Sequence, residues 1–362
     1  MNVPFKIALL LLLLPAAVLA SEPKDQYKRT IDVSYPVNDG ATLNVSNKYG
    51  KVILHVWNKK EIKATVTITG FGRNQEDSKS ITDAVNVAIK HDDGSVSFQT
   101  SYGGTNGNGG WFSLGGKRDS KDYVNIDYEI YLPNNVSTTQ IANNFGDVIA
   151  DDLPGSLKLN MNYCYYDIHS VTGTLDVSMN YCSKGKFGKA GSMRSRANYS
   201  TIQLESAGTV DDRSNYCTYV IQNVNEFLAG GNYNDYTLVK VGRLQSSNTY
   251  SDFKVTTLTG DANVRLTYSD LKIKSVTSSF KGLDAKGTYS NVKVNVPDNL
   301  DVRVEADLNH GDVHVGGLSM KNVTNIEKSG HVTYSGSTSA NCGSCPVIRL
   351  SGVYSDLSVS SK

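Results

Sequence analysis

Asp252 and Asp270 each stand two residues after a tyrosine, in Tyr250-Ser251-Asp252 and Tyr268-Ser269-Asp270. Asp147, Asp235 and Asp312 hold the same place after Phe145, Tyr233 and His310, and Asn291 holds it after Tyr289. If these segments lie side by side as neighbouring strands, Asp252 and Asp270 are roughly 5 Å apart. Two carboxylates at about that separation are what a retaining glycosidase uses, one as nucleophile and one as acid–base. The bland alternative is that Asp or Asn after Ser or Gly caps backbone donors in a turn, and we adopt it. The spacing matches no calcium loop. No metal ligand set and no cofactor site is expected.

The remaining reactive side chains are sparse. His310 and His314 alternate with Asp312 on one strand, so they share a face but lie roughly 13 Å apart, too far for one metal. His55, His91, His169 and His331 have no partner visible in the sequence. Cys342-Gly-Ser-Cys345 is a close pair flanked by turn residues and a strand-like run, which fits a local disulfide better than a redox motif. Cys164, Cys182 and Cys217 each follow a tyrosine in the place Ser or Gly takes elsewhere. They read as small buried fillers, with a Cys164–Cys182 cross-link as the alternative. No G-x-S-x-G elbow, P-loop or H-E-x-x-H run is present.

What must position these groups is a repeat. Aromatic residues recur at Phe145, Tyr163, Tyr181, Tyr199, Tyr216, Tyr233, Tyr250, Tyr268 and Tyr289, spaced 17 or 18 apart until the last step of 21. Asn or Thr precedes each one and a small residue or Asn follows it, and the pattern continues at Asn309-His310-Gly311. Three places after the aromatic come Val148, Tyr166, Ile202, Tyr219, Tyr236, Phe253, Leu271 and Val292. Five places after it come Ile168, Leu204, Ile221, Leu238, Val255, Ile273 and Val294. This is period-2 alternation broken by turns, the mark of short strands. The unit from Tyr181 to Tyr199 is the weakest, with Lys184 and Lys186 in apolar slots and Phe187 one place late.

No such unit can bury its own inward face, so the units must stack. The expected fold is all-β: a right-handed parallel β-solenoid with about 17–18 residues per coil and stacked Tyr and Asn ladders. The parity of Leu157, Leu159, Met161 and Tyr163 places the tyrosines inward. A regular stack is expected over 123–295, an N-terminal β section over 21–122, and a C-terminal β section over 296–362. A Gly-rich surface loop fills 102–116, with Trp111, Phe112 and Leu114 read as tucking back against the body. Ser78 to Lys90, with Ile81, Val85 and Ile89 four apart, is read as a short helix.

Residues 1–20 have the form of an export signal: Lys6, the apolar run Ile7 to Leu14, Pro15, then Val18-Leu19-Ala20. Without Lys6 the chain carries 35 basic and 35 acidic residues. A balanced charge argues against a nucleic-acid binder. No second apolar stretch approaches the ~18 residues that span a bilayer.

Three proline-led strands run into an aromatic-Gly-x-Val turn: Tyr35-Pro36 to Tyr49-Gly50-Lys51-Val52, Leu132-Pro133 to Phe145-Gly146-Asp147-Val148, and Val296-Pro297 to His310-Gly311-Asp312-Val313. With the Gly-punctuated strands and the export signal, they make the chain resemble a bacterial family of exported adhesin-like domains of unknown function, read as single-chain β-helices. The resemblance spans about 27–362 and brings no binding residues with it. It implies an exported adhesin-like or scaffold protein of the cell envelope, periplasmic or at the surface, and outer faces rich in Ser, Thr, Asn and Lys suit a non-enzymatic role in contact with glycans or envelope proteins. The alternative is a carbohydrate-active β-helix enzyme, lyase or hydrolase, using Asp252 and Asp270.

Overall fold

The computed structural model describes residues 25–103 and 122–361. Residues 1–20, read above as an export signal, and most of the segment read as a Gly-rich loop, with Trp111, Phe112 and Leu114, lie outside them. The described chain is all-β apart from one helix, Gln75–Asp83, and its 25 strands form a single sheet. None of its helices is long and apolar enough to cross a membrane.

Successive units pair in parallel at the repeat offset. Ser156–Asn162 lies beside Thr138–Asn144 on one side and residues 175–180 of the next unit on the other, Leu157 opposite Leu175 and Asn162 opposite Asn180. The same pairing carries through Tyr165–Asn180, Lys184–Asn198, Thr201–Asp212, Thr218–Ala229, Asp235–Thr249 and Asp252–Thr267. Coil therefore lies on coil, and the apolar side chains three and five places after the aromatics of the regular units, Tyr166, Tyr219, Tyr236 and Phe253 among them, are buried in the columns the alternation implies. Burying those columns supplies the driving force that one coil alone lacks.

The weak unit is resolved by one extra residue. Tyr165 pairs with Lys184 and Ile168 with Phe187, an offset of 19 that returns to 18 beyond Val171. Lys184 and Lys186 thereby stay exposed while Phe187 is buried against Tyr166, ring centroids 4.3 Å apart. Gly185, at φ +138°, makes the detour possible, since a Cβ there would meet the Tyr166 carbonyl oxygen at 2.3 Å.

Both ends depart from sequence order. The coil of Thr42–Lys48 and Val52–Trp57 sits directly on that of Thr138–Asn144 and Asp147–Leu153. It is covered in turn by Ser95–Tyr102 and Tyr123–Pro133, which lead into antiparallel pairs with Val85–Asp92 and Glu61–Gly72. At the far end Val347–Val353 inserts between Gly282–Thr288 and Arg303–Asn309, and Leu357–Ser361 between Val292–Val296 and Val313–Gly316. The hairpin of Lys321–Lys328 and His331–Ser337 covers Arg303–Asn309. One correction falls in the first section. The helix stops at Asp83, capped by Ala84, and Val85 and Ile89 belong to a strand because Ser95–Tyr102 offers them a partner.

Candidate functional site: an exposed aromatic ribbon

Each repeat aromatic occupies the left-handed region, with φ between +49° and +63° from Tyr49 through Tyr354 and at His310. That single residue inverts the alternation, so the ring turns outward and the next side chain turns in. The expectation that the tyrosines face the core is thus corrected. Phe145, Tyr163, Tyr181, Tyr199, Tyr216, Tyr233, Tyr250, Tyr268, Tyr289 and Tyr354 are 46–53% exposed. Parity counting assumes extended backbone at every residue, and one left-handed residue breaks it.

The rings stack in one row in the order Tyr49, Phe145, Tyr163 to Tyr289, Tyr354, His310, with centroids 4.7–5.5 Å apart and planes within 2–18°. The spacing is that of adjacent strands. His310 takes an aromatic place, but Tyr354 comes between it and Tyr289 because of the strand insertion. Faces are covered by neighbours, leaving ring edges exposed.

The residue after the ring builds a second, buried column. Ser200 Oγ accepts from the Cys182 N–H (3.1 Å), Asn234 Oδ1 from Cys217 (2.8 Å), Ser251 Oγ from Asn234 (3.1 Å), Ser269 Oγ from Ser251 (2.8 Å), Ser290 Oγ from Ser269 (3.1 Å) and Ser355 Oγ from Ser290 (3.1 Å). The slot is a hydrogen-bonding position as well as a small one, which explains why Ser, Asn and Cys fill it. Cys164, Cys182 and Cys217 are buried free thiols, the Cys164 N–H directed at Cys182 Sγ (3.3 Å). Burial pushes the Cys217 thiol up to about 12. Cys342 and Cys345 are joined as a disulfide.

On the other side of the ring, amides stack. Asn162 Nδ2 donates to Asn144 Oδ1 (2.6 Å), Asn180 to Asn162 (3.0 Å) and Asn198 to Asn180 (3.0 Å). The aspartates two places after the ring cap backbone in the neighbouring coil. Asp252 Oδ1 accepts from the Asp270 N–H (2.9 Å), Asp270 Oδ1 from Asn291 (2.8 Å) and Asp356 Oδ1 from Asp312 (2.9 Å). Asp147 instead pairs with Lys51 at 3.4 Å, and Asp235 lies exposed opposite Asp252.

The histidines acquire neighbours from distant strands. His91 stacks on Tyr35, His55 and His169 meet Asp151 and Asp152, and His331 meets Asn309. Among the described residues, no three His, Cys, Asp or Glu side chains are placed to hold a metal ion.

Inside the stack lies a polar cluster that alternation alone did not reveal. Asp212 is fully buried and accepts from the Ser214 N–H (2.9 Å), the Tyr219 hydroxyl (2.5 Å) and the Tyr236 hydroxyl (2.6 Å). Ser195 and Asn234 extend the network through those hydroxyls. Burial pushes the Asp212 carboxyl above the ordinary carboxylate range, with the hydroxyl donors pulling the other way. A buried charge persists only when it is hydrogen-bonded in this fashion.

No family model matches the chain, and no curated relative matches it. Among solved structures it is similar to a putative adhesin from Parabacteroides merdae (10% identity over 74% of this chain and 96% of the other, TM-score 0.33). Others are a putative adhesin from Parabacteroides distasonis (11%, 92% and 97%, TM-score 0.28) and a putative cell adhesion protein from Clostridium sporogenes (14%, 92% and 100%, TM-score 0.18). Each carries a name of the kind the sequence resemblance implies.

Proposed function

We propose that this chain is a non-enzymatic, exported adhesin-like or scaffold protein of the cell envelope, whose long rigid side meets glycans or envelope proteins. The observation that carries the reading is the ribbon of twelve stacked rings. A contiguous exposed aromatic strip on a rigid body is the mark of an interaction surface. Tyrosine suits it, offering an apolar ring and a polar tip at small entropic cost. Because the ring faces are covered, contact falls to edges, hydroxyls and the flanking amides, which favours many weak points along an extended partner.

The non-enzymatic part draws support from Asp252 and Asp270, each of which commits an oxygen to a backbone N–H in the next coil. The coil is taken as right-handed, the default for parallel crossovers. Replacing Tyr199, Tyr216 and Tyr233 together by Ser should lower binding to glycan arrays or envelope extract by about tenfold or more, the loss of several aromatic contacts of ~0.5–1.5 kcal/mol each. Asp252→Asn and Asp270→Asn should leave it intact. Cleavage of a polysaccharide that either Asp change abolishes would replace this reading with the carbohydrate-active enzyme.

A further inference from the structure

On the outer side of the coils, three residues before the ribbon rings Tyr268 and Tyr289, Arg265 and Lys286 stand directly opposite each other on adjacent parallel strands. They are about one strand spacing, ~4.8 Å, apart along the backbone. Like charges in directly opposed positions are destabilising. Neither side chain has an ion-pair partner among the described residues. Both line a depression of about 350 Å³, together with Ser246, Ser247, Asn263 and Asp284. Ser247 continues the column of Arg265, and Asn263 lies in the neighbouring one opposite Asp284. The one carboxylate there is engaged elsewhere, since Asp284 meets Arg349 at 3.5 Å.

We infer that this depression seats the anionic group of an acidic polysaccharide, a carboxylate or sulfate held between Arg265 and Lys286 with neighbouring sugar hydroxyls on Ser247 and Asn263. An anionic group seated between them supplies the counter-charge that both cations lack. Hydroxyl and amide neighbours match sugar hydroxyls. Nucleic acid is the poorer fit: the formal charge of the chain is only +1, and the stacked rings of the ribbon leave no free faces along the row for bases. The inference rests on the reading of the chain as a glycan-contacting protein and names the ligand class.

The test uses the full chain with four probes: a polygalacturonate oligomer, dextran sulfate, neutral dextran and single-stranded DNA, titrated by calorimetry at several salt concentrations. Expected is binding of a carboxylated or sulfated probe and not of neutral dextran, the preferred probe identifying the anionic group. Arg265→Ala with Lys286→Ala should weaken that binding by about tenfold or more and reduce the salt slope by about two. Arg265→Lys with Lys286→Arg should restore it. No binding of either anionic glycan, unchanged binding by the double Ala variant, equal binding of dextran, or preference for DNA would each overturn the inference. If the ribbon variant loses adhesion while the double Ala variant keeps all of its own, this site falls and the function proposed above stands.

Discussion

At Tyr216 two energies oppose each other. A non-glycine residue at φ +55° bears a left-handed penalty of ~1–2 kcal/mol. Against it the ring stacks on Tyr199 at 4.9 Å and on Tyr233 at 4.7 Å, gaining ~0.5–1.5 kcal/mol on each side. Tyr216→Ala keeps the penalty and loses the stacking. Tyr216→Gly loses the stacking but also the penalty, less the ~0.5–1 kcal/mol of extra chain entropy that glycine gives up. Glycine should therefore destabilise less than alanine by about 0.5–1 kcal/mol in denaturant titrations, and the reverse order would mean that backbone strain is not what the stacking offsets. Asp212 gives a pH test. Its folded pKa is raised by burial, so the native state holds the proton more tightly. That contribution is complete below the unfolded carboxylate value and fades as pH rises through the folded one. The melting temperature of the native protein minus that of Asp212→Asn should accordingly shrink from acid pH to neutrality, whereas a difference that widens would show the donors outweighing burial.

Among the elements, the inward columns were legible because Tyr166, Ile202, Tyr219 and their equivalents recur at fixed offsets on extended backbone. The direction of the ring was not legible, since a period of two carries no record of one left-handed residue. Nor was the end of the helix at Asp83, where the partner strand Ser95–Tyr102, and not local spacing, decides the fate of Val85. Lys184 and Lys186 looked like a defect in the repeat, yet they mark an inserted residue that Gly185 absorbs. Gly185→Ala should cost about 2–3 kcal/mol, since a Cβ at φ +138° collides with the Tyr166 backbone. Chemical denaturation would check it, and a cost below about 0.5 kcal/mol, the range of an ordinary surface change, would mean the coil can shift there.

For the molecule as a whole, the repeat told which segments are coils but not the order in which the outer ones lie. Tyr354 and Thr42–Lys48 reach their neighbours across long stretches of chain, and nothing local encodes those meetings. Deleting residues 347–361 takes the middle layer out of the C-terminal end. Hydrogen exchange should then show protection lost over Gly282–Thr288 and Arg303–Asn309 and kept over Ser156–Asn162 and Thr201–Asp212, as nearest-neighbour stacking requires. Uniform loss would mean that the coils unfold as one unit. The same interleaving bears on biosynthesis. Arg303–Asn309 and Val313–Gly316 are made before the strands that join them to the stack. A polypeptide emerging in order must hold these edges open until Val347–Val353 and Leu357–Ser361 arrive, so a prematurely terminated copy presents naked strand edges to proteases and is marked for removal.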